Sequence, residues 1–232
     1  MRTFYRISIF SLIVFGLLLL NNHFFKQKDA NFNVVIPEGN YTLGVDLSHH
    51  QGIINWELLL QKLDSNKSPV FFYLKATEGY NHVDREWVRN RRKCLEHGLK
   101  HGAYHFFIPS KSGHKQAQHF LSHYKYTEGD LPPVLDYEID GNSLNTSIQE
   151  ARNWLQEVER RIGIRPIIYT SLDRYNLQLK MAFPNYKFWV AAYSRKIDLL
   201  NNPQIIHWQF TENGSLPGHQ VNVDLNVSLM PI

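Results

Sequence analysis

The chain has 232 residues, of which 43% are hydrophobic and 20% charged, the balance of a globular protein and not of a disordered one. A formal net charge of +4 is too small and too dispersed to suggest nucleic acid, though it favours an anionic surface such as a cell wall or membrane. A single cysteine, Cys94, excludes an intramolecular disulfide, and its place among Trp87, Val88 and Leu95 on a helical pattern reads as a small buried hydrophobe.

Arg2 and Arg6 precede an uncharged, mostly apolar run of 14 residues, 7–20, which has the shape of an export signal. Phe4, Tyr5 and residues 21–25 extend it towards the span of about 20 that a membrane helix needs. No small-x-small cleavage site follows Leu20 closely, so residues 1–25 read as an uncleaved signal anchor with the basic end cytoplasmic and the body exported. A signal cleaved near Ala30, giving a secreted or periplasmic protein, is the alternative. Residues 26–40 are polar, contain Pro37 and Gly39, and read as a linker.

From Tyr41 onward short β-rich runs alternate with helical patterns. The predicted strands are 42–46, 70–76, 101–107, 134–138, 166–169, 188–192, 205–209 and 223–226. Several are almost continuously apolar, as expected where both faces of a parallel sheet are covered. Predicted helices run over 56–63 after Asn55 as N-cap, 84–97 before Gly98, 114–124, and 148–162 between Ser147 as cap and Gly163. Arg89, Arg91, Arg92 and Lys93 fall on the second helix with Glu86 and Glu96 and read as its solvated face. No strong helical pattern separates the last three strands. The pattern predicts an α/β fold: an irregular (β/α) barrel of eight strands with few helices in the C-terminal third.

Asp136-Tyr137-Glu138 ends the apolar run LPPVLDYEID. On a strand Asp136 and Glu138 share a face, about 6.6 Å apart along the backbone, and Tyr137 points away, into the core or beside the cleft. Two carboxylates at that range repel, raising one pKa and leaving a proton donor beside an anion, the pairing that glycoside hydrolysis uses. In a parallel barrel the chemistry gathers at the C-terminal ends of the strands. That rule brings in Asp46, Lys75, Glu78, Tyr104, His105, Tyr169, Trp189, Tyr193, Gln209 and Asp224, an acidic cleft lined with rings. Lys75 and Glu78 read equally as an ion pair or as substrate contacts, and Gln209 as a ligand of sugar or of a loop. Adjacent His49 and His50 point to opposite faces if extended, and no third ligand stands at metal spacing, so neither metal nor cofactor is expected.

The stretches GVDLSHHQGIINW, FFYLKATEGYNHVD, HGAYHFF, PPVLDYEID, IIYTS, FWVAAY, IHWQFTENGSLPG and VDLNV follow one another across residues 41–232. In this the sequence resembles glycoside hydrolase family 25, the Chalaropsis-type lysozymes. The resemblance implies a flattened β/α barrel that cleaves the β-1,4 bond between N-acetylmuramic acid and N-acetylglucosamine in peptidoglycan. It also implies that Glu138 is the general acid, Asp136 its partner carboxylate, and Asp46 and Asp224 two further catalytic aspartates. Tyr104, Tyr169, Trp189, Tyr193, Lys75 and Gln209 are expected to contact substrate.

Family members are thought to retain configuration, with the substrate's acetamido group as nucleophile; the residue spacing does not separate this from direct attack by water. Where many members continue into wall-binding repeats, Asp224 is followed by eight residues. The expected body is a monomer tethered to the membrane by the N-terminal segment and working on peptidoglycan. A hydrolase of another N-acetylated glycan such as chitin, or a silent glycan-binding module, are the alternatives.

Overall fold

The computed structural model describes residue 29 and residues 32–66, 70–217 and 220–229. The expected signal anchor at 1–25 lies outside the described residues. Among the described residues no helix is long and apolar enough to cross a membrane.

All eight predicted strands are present. In chain order the elements are β1 (Thr42–Leu47), α1 (Trp56–Asn66), β2 (Val70–Glu78), β3 (His82–Val83), α2 (Trp87–Glu96), β4 (His101–Phe106), α3 (Gly113–His123), β5 (Val134–Asp136) and α4 (Leu144–Ile162). There follow β6 (Ile167–Ser171), a helical segment with a π turn at Tyr175–Leu179, β7 (Lys187–Ala191), β8 (Ile205–Gly214) and β9 (Val223–Ser228). They form one sheet in the order β1-β9-β8-β7-β6-β5-β4-β2-β3, and a further pairing of β1 with β2 closes eight strands into a barrel. β3 is a short antiparallel addition to β2. Strands β1 to β8 of the barrel run parallel to their neighbours, but β9 is antiparallel to both β8 and β1. The expectation of parallel strands therefore fails for the last one, because the β8–β9 connection is a hairpin with no crossover helix.

Two cores follow from the period-2 alternation of side chains along each strand. On β2, Phe71 and Tyr73 point into the barrel with Leu131, Val134, Ile167, Tyr169 and Trp189. Phe72, Leu74 and Ala76 point outward and pack under the helices with Trp56, Phe120 and Trp154. Every residue of β2 between its two ends is buried, which is why it reads as an unbroken apolar run. Gly44 must lack a side chain: a Cβ there would sit 2.2 Å from the Phe71 ring, which fills the barrel floor.

The helices form near their predicted places. Asn55 Oδ1 accepts from the Leu58 amide, Gly98 and Gly163 supply left-handed φ of 62° and 79°, and Cys94 is fully buried. Two starts differ. α2 begins at Trp87 and not at 84, because the Asp84 carboxylate accepts from the Glu86 and His49 amides and so works in a loop. α4 begins four residues earlier than the predicted 148: Ser143, not Ser147, is the N-cap, its hydroxyl accepting from the Thr146 amide, and Ser147 is buried one turn inside. Arg91 also leaves the solvated face predicted for it, lying over the Tyr124 ring at 5.2 Å and 3.5 Å from Asp130. Ahead of the first strand, Phe32 is fully buried in the outer core, and its carbonyl accepts from the Ser215 amide at 2.9 Å.

Candidate active site

The inward positions one step above the barrel floor are polar where those of the floor are apolar. Phe71, Val134 and Ile167 give way, two residues on, to Tyr73, Asp136 and Tyr169, and at the next step on β2 to Lys75. Asp46 on β1, Tyr104 on β4 and Gln209 on β8 join them. Asp224 comes from the start of β9, and because that strand is antiparallel, its start lies at the same rim as the ends of the others. Asp46 and Asp224 are direct cross-strand partners. The result is one cleft of about 320 Å³ lined by Asp46, Asp136, Glu138 and Asp224 together with Lys75, Tyr104, Tyr169, Trp189 and Gln209. Of the ten residues expected to act in catalysis or contact substrate, only Tyr193 lies outside this lining; Glu78 and His105, also expected at the cleft, lie outside it too. Tyr193 stands half exposed beside a neighbouring groove, and reaches the site by donating from its hydroxyl to Gln209 Oε1 at 2.7 Å.

Strand β5 ends at Asp136, two residues before the predicted limit. The chain nonetheless stays tied to β6: the Tyr137 amide donates to the Tyr169 carbonyl at 2.9 Å, and Thr170 Oγ1 donates back to the Tyr137 carbonyl at 2.8 Å. Arg174 Nη2 holds the Glu138 carbonyl at 2.9 Å. Glu138 is thereby held beside Asp136, close enough for its charge to act on the Asp136 carboxyl. Tyr137 turns away into the outer core, edge-on to Phe107 at 5.4 Å.

The two carboxyls differ sharply in setting. Asp136 is buried, with Oδ1 lacking any partner in the protein, while Glu138 is exposed. Burial, and then the charge of Glu138, push Asp136 well above the carboxylate range, against the pull of Lys75. Asp46 is likewise raised, first by burial and then by Asp224, and burial pushes Asp224 up to about 6. Lys75 is the buried cation of the cleft; it pairs with Glu78 Oε2 at 2.8 Å and lies 4.8 Å from the Phe106 ring centroid. The ion-pair reading of Lys75 and Glu78 holds, and Lys75 also lines the cleft.

Gln209 donates from Nε2 to Asp46 Oδ2 at 3.0 Å and accepts at Oε1 from the Tyr169 and Tyr193 hydroxyls, so its partners are side chains of the site and not a loop. His105, on the third predicted strand, faces the outer core between Thr77 and Gln116, and burial lowers its pKa to about 3, so it is neutral.

Sequence reasoning missed Ser48, His50, Gln51 and Phe106, all in the lining. Two of them, His50 and Gln51, sit on a 3₁₀ turn, His49–Gln51, and Ser48 caps it. The turn closes a capping box, Ser48-x-x-Gln51, whose spacing is a signal the sequence itself carries. It also corrects the geometry expected of the two histidines. They are not extended and opposed; their ring centroids lie 4.1 Å apart. His49 is committed to Asp84, with Nδ1 2.6 Å from Oδ2, while His50 faces the cleft and is held below its ordinary pKa by burial and by His49. Among the described residues no three His, Cys, Asp or Glu side chains are grouped to hold a metal.

A barrel whose rim carries two neighbouring carboxyl pairs among aromatic rings can donate and accept protons around a bound sugar. Relatives carry the same body. A protein of Escherichia coli O6:H1 named YegX is 36% identical over 208 residues, covering 88% of this chain and 76% of its own. Lysozyme M1 of Streptomyces globisporus is 30% identical, over 79% of this chain and 66% of that one. A family 25 glycosyl hydrolase from Bacillus anthracis superposes with a TM-score of 0.74 at 27% identity, over 88% of this chain and 95% of the other. Residues 45–219 match the family described as Glycosyl hydrolases family 25, and the chain belongs to that family.

Proposed function

We propose that this glycosidase is a muramidase, cleaving the β-1,4 bond between N-acetylmuramic acid and N-acetylglucosamine in peptidoglycan, with Glu138 as general acid and base and Asp136 as its partner. The observation that carries the reading is the unequal pair. Buried Asp136 lines the cleft with its Oδ1 unpartnered in the protein, and exposed Glu138 stands beside it. An N-acetyl sugar offers an amide N–H that the Asp136 carboxyl can accept in the cleft. Accepting that bond stabilises the Asp136 anion, so its proton passes to neighbouring Glu138. Glu138 then protonates the leaving glycosidic oxygen, and the acetamido oxygen, oriented through its N–H by Asp136, closes on the anomeric carbon. Glu138, now a carboxylate, takes a proton from the water that opens the ring. Lysozyme M1 supports the substrate class by its name.

The test is digestion of purified peptidoglycan, with chitin in parallel, by wild type and Glu138→Gln, followed by mass spectrometry of borohydride-reduced products. Muramitol-ended fragments, falling at least about a hundredfold in the variant, are expected for loss of a general acid. Release from chitin alone, or equal activity of the variant, overturns the assignment. In this reading the body acts outside the cytoplasm as a monomer, tethered by residues 1–25. Detection of a chain starting near Ala30 in the culture fluid would replace the tether with a cleaved signal.

A further inference from the structure

Asn226 lies one inward step below Asp224 on β9, fully buried between the floor of the barrel and the cleft. Its side chain makes two short contacts. Trp189 Nε1 donates to Asn226 Oδ1 at 2.8 Å, and Asn226 Nδ2 donates to Asp46 Oδ2 at 2.8 Å.

The direction of both bonds is fixed by chemistry. An indole nitrogen can only donate, so the Asn226 atom facing it must be the carbonyl oxygen, and the atom facing Asp46 must be the NH₂. Gln209 is locked in the same sense from the other side. Two tyrosine hydroxyls, those of Tyr169 and Tyr193, converge on its Oε1 at 2.8 and 2.7 Å. Burial raises the pKa of both phenols, so both stay protonated and can donate. That leaves Gln209 Nε2 to donate to Asp46 Oδ2 at 3.0 Å. Asp46 Oδ2 therefore receives two amide N–H groups, and a proton on that oxygen would confront both donors. The proton must sit on Oδ1, the oxygen free to meet Asp224.

We propose that Asn226 is a positioning residue, oriented by the Trp189 indole, which confines the proton shared by Asp46 and Asp224 to Oδ1 of Asp46. Asp46 then donates to Asp224 and holds that carboxylate in one orientation beside the substrate. The role rests on the muramidase reading for its catalytic meaning, but the hydrogen-bond logic stands without it. It also gives Trp189, which is 2% exposed, a task other than stacking on sugar.

The experiment compares wild type with Asn226→Ala and with Trp189→Phe, the second keeping the ring contacts while removing the indole N–H that faces Asn226 Oδ1 and leaving the Gly44 carbonyl, 3.5 Å from Asn226 Nδ2, in place. Carbon-13 NMR of aspartate carboxyls, assigned with Asp46→Asn and Asp224→Asn, follows the pair directly. Losing an amide donor to a charged acceptor is expected to move the Asp46 titration up by about one to two pH units in either variant. The double variant should shift no further than Asn226→Ala alone, since both act through one bond. Turnover on peptidoglycan should fall about tenfold or more, with KM nearly unchanged. Unaltered carboxyl titrations in two folded variants would overturn the proposal and leave Asn226 a packing residue. Wild type without muramidase activity but with the shifted titrations would sink the proposed function and spare the network.

Discussion

Asp136 and Glu138 stand two positions apart in the chain and at opposite extremes of exposure. On sequence grounds one carboxyl pKa of the pair is raised, with no sign of which. The structure puts the upward displacement on Asp136, because burial is its largest cause. In the proposed mechanism the pair must hold one proton between them to work. Its alkaline limit is then set by loss of a proton that burial and the neighbouring charge hold tightly, so activity should persist well above the ordinary carboxylate range before falling. Asp136→Asn leaves Glu138 without a carboxyl partner with which to share the proton. Its kcat should fall at least about a hundredfold, and the alkaline limb of what remains should move to lower pH. A pH–rate profile of the variant whose alkaline limb coincides with wild type would separate Asp136 from the proton inventory.

At the scale of elements, the loop after β1 brings Ser48, His50 and Gln51 to the cleft, and it is pinned from β3's side by one buried carboxylate. Asp84 Oδ2 accepts from the His49 amide at 2.9 Å and lies 2.6 Å from His49 Nδ1, while Oδ1 accepts from the Glu86 amide at 2.9 Å. Asp84→Ala strands those donors and should lower unfolding free energy by about 2–4 kcal/mol, read from urea denaturation. It should also raise KM more than it lowers kcat, because the 3₁₀ turn and not the carboxyl pairs loses its anchor. An unchanged KM would mean the turn holds its place by the Ser48–Gln51 box alone.

This scale also shows what the sequence could disclose. The strands are legible because several are apolar on both faces, and the site residues because alternation places 46, 136, 209 and 224 on inward faces. The start of α4 is not legible: its first turn, Leu144 to Ser147, carries no apolar periodicity, so Ser147 looks like the cap. The reversal of β9 is hidden too, since a strand's apolar pattern has no direction. Asn226 shares Asp224's parity and is in reach of the same argument, but an amide beneath a carboxylate has no signature until its partners are known.

The whole molecule carries the energetic consequence of gathering these carboxyls. A carboxyl whose pKa is raised by folding keeps a proton that the unfolded chain has released. Between the ordinary carboxylate range and the raised value the native state therefore binds more protons than the unfolded one, and stability falls as pH rises through that window. For Asp224 the window runs from the ordinary 3.8 to about 6, and the more deeply buried Asp46 and Asp136 extend it upward. The fold should accordingly be more stable near pH 4 than its site allows at pH 7, until other groups intervene in stronger acid. Asp224→Asn replaces the charge by a neutral isostere that can still meet Asp46. Thermal unfolding should show the variant more stable than wild type at pH 7, by about 1–2 kcal/mol, and indistinguishable near pH 4, where wild-type Asp224 is already protonated. An equal gain at both pH values would trace the effect to packing, and no gain at pH 7 would mean that substrate-free Asp224 is better solvated than its place in the cleft implies. If the pH-dependent gain is found with activity lost, the acidic rim is strained in the resting protein, and the sugar that enters it relieves part of that strain by supplying the hydrogen-bond donors the barrel lacks.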